Sequence, residues 1–125
     1  MKKTTVFLRC VYGALLVTLT IYCVYPVLTY ANSPQNVNLK YDYPSQYLTV
    51  TITHKSAATD KHYIESVIIK KNGKVSSTYN YASQPDPETF TYTYQVQAEG
   101  GDVLEVTAQC NIFGNKKETL NIKKD

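Results

Sequence analysis

The chain has no tryptophan, one methionine (Met1), two histidines and three cysteines in 125 residues. Charge is sparse as well: 18% of the residues are charged, against 43% hydrophobic. That balance excludes a disordered tail, which combines high charge with little apolar surface. The length leaves room for one domain and excludes a large multi-domain enzyme. The formal charge of +3 is unevenly placed. Lys2, Lys3 and Arg9 stand in the first nine residues, whereas from Asn32 onward ten basic residues face ten acidic ones. A nucleic-acid binder carries a basic patch or stripe; none is visible, and nucleic acid is not an expected partner. No Gly-rich phosphate loop is present, since Gly100-Gly101 reads as a hairpin turn, and no spacing pairs two carboxylates for acid–base work. The missing tryptophan and the want of a cysteine pair in the body exclude an antibody-type domain.

Residues 1–31 read as an export segment. Three cations are followed by Cys10 to Ala31 without a charge, the order of a secretory signal, and Thr29 and Ala31 supply small residues before a cut. Val11–Ala31 is equally a stretch of 21 uncharged residues, and about 20 suffice to span a bilayer. Tyr22, Tyr25 and Tyr30 would suit an interfacial belt. The segment is therefore expected to be a signal or anchor helix, with the membrane a partner through residues 11–31 if it is retained. Both outcomes place residues 32–125 outside the cytoplasm, secreted or tethered to the outer face of the cytoplasmic membrane. A lipid-modified Cys23 fits poorly, because Tyr22 precedes it where a small residue is usual.

With Cys10 and Cys23 in the leader, the exported domain owns one thiol, Cys110, and can form no internal disulfide. A lone cysteine is a buried small hydrophobe, a metal ligand or a reactive thiol.

From residue 32 the sequence alternates with period two and is rich in Thr, Val, Ile and Tyr, the residues that favour pleated, half-buried surfaces. Val37–Tyr43, Leu48–His54, Tyr63–Lys70, Val75–Tyr81, Phe90–Val96, Leu104–Cys110 and a stretch around Leu120 and Ile122 are the predicted strands. Val67-Ile68-Ile69 is continuously apolar, as a central strand requires. Asn72-Gly73 is a two-residue hairpin signal, Pro85 and Pro87 mark a loop, and Gly114-Asn115 a further turn. Seven short strands at this spacing predict an all-β, seven-stranded immunoglobulin-like sandwich. The alternating tyrosines are expected at the edge of its core.

In such a sandwich the connection between the second and third strands and that between the sixth and seventh lie at one end. His54 closes the second strand, His62 opens the third and Cys110 closes the sixth, so these three are predicted to converge at one pole. Imidazole and thiolate together suit iron, zinc or copper. A blue-copper centre is excluded: it needs a histidine and usually a methionine just after the cysteine, and the only methionine is Met1.

His54…His62-Tyr63-Ile64 followed by Cys110-Asn111-Ile112-Phe113-Gly114 resembles the iron-binding domain of desulfoferrodoxin and superoxide reductase, whose motifs read H-P-x4-H-Y/H-I-x-W-I and C-N-x-H-G. The similarity covers about residues 47–122. It implies an immunoglobulin-like sandwich holding a mononuclear non-haem iron by four histidines and an axial cysteine, with superoxide reduction at the open position. Carried over, His54 and His62 match two equatorial ligands and Cys110 the axial one. Phe113 stands in place of a third histidine and no histidine precedes His54, so two of the four imidazoles are missing. The histidine interval is eight residues instead of six, Lys55 replaces the proline and Ser66 the tryptophan.

Three functions follow as expectations. The first is an exported, non-catalytic binding or structural module with an incomplete metal site and no cofactor. The second is an iron-binding redox protein related to superoxide reductase, using His54, His62 and Cys110, with Asp60 or water completing the shell. The third is a thiol carrier acting through Cys110, disfavoured because Cys110 shares the apolar face of Leu104, Val106 and Ala108.

Overall fold

The computed structural model describes residues 32–124, within the second of two units, Met1–Tyr30 and Ala31–Asp125. Residues 1–31, expected from the sequence to be a signal or anchor segment, lie outside the described residues. Among those described, no helix is long and apolar enough to cross a membrane.

Seven strands follow one another: β1 Asn36–Asp42, β2 Tyr47–Thr53, β3 Ile64–Lys71, β4 Lys74–Asn80, β5 Thr89–Gln95, β6 Val103–Cys110 and β7 Asn115–Asn121. They form a three-stranded sheet in the order β1-β2-β5 and a four-stranded sheet in the order β4-β3-β6-β7. Every pairing is antiparallel. The alternation read from the sequence is the alternation of burial. Leu48, Val50 and Ile52 point inward from β2 between half-buried or exposed neighbours, and Leu104, Val106, Ala108 and Cys110 do so from β6. β3 lies between β4 and β6, and its apolar run fills that interior position.

One core cluster draws Val37, Leu48, Val50, Ile52, Phe90 and Tyr94 from the first sheet and Ile64, Val67, Ile69, Leu104, Val106 and Ala108 from the second. Two sheets sharing one apolar interior make a two-layer, sandwich-like packing. A fully buried aliphatic side chain contributes about 1.5–3 kcal/mol, so the inward faces of β2, β3 and β6 hold the layers together. At Asn72-Gly73 both residues have positive φ, 51° and 82°, as the two-residue turn joining twisted strands demands.

Tyr79, Tyr81, Tyr92 and Tyr94 stand where the two sheets meet at their β4 and β5 edges. Tyr79 stacks on Tyr94 and Tyr81 on Tyr92, each pair with centroids 4.3 Å apart. The hydroxyls of Tyr81 and Tyr94 share a hydrogen bond of 2.6 Å.

Strand direction decides what gathers where. The β2–β3, β4–β5 and β6–β7 connections share one end with the N-terminal residues 32–35, as the hydrogen bonds among them record. The β3–β4 hairpin lies at the other end, where Lys71 pairs with Leu104 and Lys74.

Candidate metal centre

His54 is the first residue after β2. The period-two pattern of that strand carries it inward beyond Ile52, and it is fully buried. Its backbone N–H donates to the carbonyl of Glu88, holding the β4–β5 loop over it. His62 belongs to the β2–β3 loop, two residues before β3, and its N–H donates to the carbonyl of Ala58 across a tight turn. Cys110 is the last residue of β6, facing inward and 4% exposed. It pairs with Ile64 at the start of β3, and the register slips between Ile64 and Ser66. Such bulges re-aim side chains beside functional sites; here the strand that slips is the one His62 leads into.

The three predicted residues are brought together. One donor atom from each of His54, His62 and Cys110 lies within 4.8 Å of the others. The two imidazoles meet edge to face, centroids 4.6 Å apart and planes at 78°. Cys110 Sγ accepts the Ile112 N–H at 3.4 Å, a contact that stabilises negative charge on sulfur. Asp60 is exposed and stands apart from this cluster. Phe113 is 69% exposed and brings no donor atom to the site.

Asn111 locks the two loops that carry His62 and Cys110. Its Oδ1 accepts the Tyr63 N–H at 2.9 Å, its Nδ2 donates to the Lys61 carbonyl at 3.0 Å, and its own N–H donates to the Tyr63 carbonyl at 3.0 Å. A side chain that satisfies both an N–H and a C=O of the same neighbouring segment fixes spacing and direction together.

Gln84, from the Pro-flanked β4–β5 loop, does the same for His54. It is 3% exposed, and its Nε2 donates to the carbonyls of His54 and Asp86 at 2.9 and 2.8 Å. Those two bonds settle which end of the carboxamide is oxygen. Oε1 therefore faces His54 Nδ1, at 2.7 Å. An oxygen can only accept, so Nδ1 carries a proton. Nε2, at the other side of the ring, lies 2.9 Å from the main-chain carbonyl oxygen of Asn32. A histidine that donates one N–H to a carbonyl oxygen and turns its other nitrogen to a metal is the usual arrangement in metal sites.

His62 offers a second nitrogen. Its Nε2 is buried and has no hydrogen-bond partner among the described residues, which costs about 1–3 kcal/mol. Burial, and then the neighbouring His54 ring, hold the His62 imidazole below its ordinary range, keeping it in the form that binds metals. The backbone of Asn32 pulls the other way, close to His62 but short of a hydrogen bond of normal geometry.

Donors of this kind fit a metal ion. Two imidazole nitrogens and a sulfur are the ligand types of four-coordinate transition metals, and the partnerless His62 Nε2 is available to a cation. They do not supply the four imidazoles of a five-coordinate iron.

Gln84 and Asn32 escape any reading of the chain by periodicity or motif. Gln84 sits 30 positions from His54 in a polar loop, and nothing local marks it as buried. Asn111 stands inside the C-N motif, yet its loop-locking role appears only once the loops are side by side. No family model, curated protein or solved structure matches the chain.

Proposed function

We propose that residues 32–125 form an exported metal-binding module of immunoglobulin-like fold, related to the desulfoferrodoxin domain and without superoxide reductase activity. His54, His62 and Cys110 hold one thiolate-seeking transition metal. The fold reading rests on seven antiparallel strands divided β1-β2-β5 and β4-β3-β6-β7, with the fourth strand beside the third instead of beside the fifth. The observation that carries the function is the convergence of three donor atoms within 4.8 Å, together with the partnerless His62 Nε2. Buried polar groups without partners are rare, and a metal ion would supply the partner that His62 Nε2 lacks.

Titration of the purified full-length chain in detergent with cobalt(II) tests this reading. A stoichiometric near-ultraviolet sulfur-to-cobalt band with intense visible bands is expected, the mark of a four-coordinate thiolate site. In Cys110→Ser the sulfur band should vanish and affinity should fall by about 10-fold or more. A chain that develops no bands, or a serine variant that binds as tightly as the parent, removes the proposal.

An iron redox protein is the second reading, favoured by the Ile112 N–H on Cys110 Sγ, since hydrogen bonds to sulfur tune the potential of thiolate-ligated iron. It is distinguished by anaerobic purification with stoichiometric iron and a superoxide-dependent oxidation of that iron.

A further inference from the structure

Resting on the metal-binding reading above, we infer that the main-chain carbonyl of Asn32 is a fourth ligand of the site, so that metal binding fastens the segment through which the chain enters the domain. The carbonyl oxygen of Asn32 lies 2.9 Å from His54 Nε2. On the other side of the ring, Gln84 Oε1 accepts from His54 Nδ1. The ring thus stands between two oxygens, and both are satisfied only when it carries a proton on each nitrogen or when a cation takes the place of the proton on Nε2. A proton on Nε2 would satisfy this pair alone. A metal ion satisfies the pair and also the His62 Nε2 that otherwise has no partner, while drawing in Cys110 Sγ.

The carbonyl is placed by contacts independent of any metal. Gln35 N–H donates to the Thr53 carbonyl at 2.9 Å, joining this segment to the residue before His54. Pro34 is buried and fixes its own backbone angle. Ser33 lies so close to Gly114, in the β6–β7 loop, that a Cβ at Gly114 would come within 2.5 Å of the Ser33 Cβ. Gly114 also has a φ of 82°. The residue two places before Pro34 is thus held between the end of β2 and the loop that follows Cys110.

An oxygen ligand completes a tetrahedral N2SO set, which suits zinc(II) or iron(II); copper(I), which prefers soft donors throughout, fits it less well. The set would be saturated by the protein, which makes the ion a fastening and leaves no open position for a substrate.

The test uses the full-length chain in detergent with cobalt(II) or zinc(II) alone. Amide hydrogen exchange at Ser33 and Gln35 should slow by about 10-fold or more on metal addition, while the Lys71–Lys74 hairpin at the far end should not change. A variant with one glycine inserted between Ser33 and Pro34 displaces the carbonyl and leaves all three side-chain ligands. It should bind cobalt about 10-fold more weakly, keep the sulfur-to-cobalt band, and keep the near-ultraviolet circular dichroism of its tyrosines. Unchanged exchange at residues 33–35 in a parent that binds cobalt, or an insertion variant with parental affinity, overturns the Asn32 ligand and leaves the three-residue site standing. A parent that binds no cobalt overturns both.

Discussion

Gln84 carries more of this structure than its side-chain chemistry would announce. A neutral carboxamide buried in a loop holds the His54 ring by its Nδ1–H, ties the loop to the end of β2 and leaves none of its own polar atoms without a partner. Replacing it with leucine strands the His54 and Asp86 carbonyls and the His54 Nδ1–H together. Each buried loss costs about 1–3 kcal/mol, though losses in one network do not add. Gln84→Leu is expected to lower stability by about 3 kcal/mol, read as a lower urea midpoint at unchanged slope. Its cobalt affinity should fall as well, because the His54 ring is no longer held with Nε2 toward the site. A variant of parental stability would show that the carboxamide is dispensable.

Among the elements, the two loops that meet through Asn111 matter most to the site. β3 and β6 are neighbours in one sheet, yet strand pairing stops at Ile64 and Cys110, and the ligands lie at or beyond that limit. Asn111 continues the pairing with side-chain bonds to Tyr63 and Lys61. Asn111→Ala is expected to cost about 2 kcal/mol and to weaken metal binding more than Asn72→Ala does. Asn72 also bridges two segments, through Asp102 and Val103, but at the opposite end. Equal effects of the two variants on metal affinity would refute a local role for Asn111. At this scale much was legible beforehand. Six of the seven strands fall where alternation and turn residues place them, because a half-buried strand must repeat with period two. The one visible drift is the seventh strand, which begins at Asn115 with a run of exposed polar residues; an edge strand is held by its partner β6 and has little apolar pattern of its own.

Over the whole molecule, the layers are joined by the aliphatic core and sealed at one margin by the tyrosine stacks. Burial, and secondarily the Tyr81 hydroxyl, push the Tyr92 phenol up to about 12, and burial drives Tyr94 and Tyr81 upward too. An unfolded tyrosine ionises near 10, so above that pH the folded state holds protons that the unfolded state has released. Stability from this margin is thus complete below pH 10 and is lost as pH rises through 10 toward 12. Denaturation followed from pH 8 to 12 should show a flat region and then a steep fall, shallower in Tyr92→Phe. A profile identical for both proteins would mean that the stacked phenols are not coupled to folding.

The sequence by itself determined the strands, their inward faces, the hairpin at Asn72-Gly73 and the meeting of His54, His62 and Cys110, because each follows from local periodicity or from the order in which antiparallel strands must turn back. Only the tertiary structure decided that Phe113 faces solvent, that Gln84 governs the His54 ring, and that the Asn32 carbonyl reaches the same point. These depend on loops crossing one another in space. A loop residue is buried or exposed by what packs on it from distant segments, and no repeat in the chain encodes that.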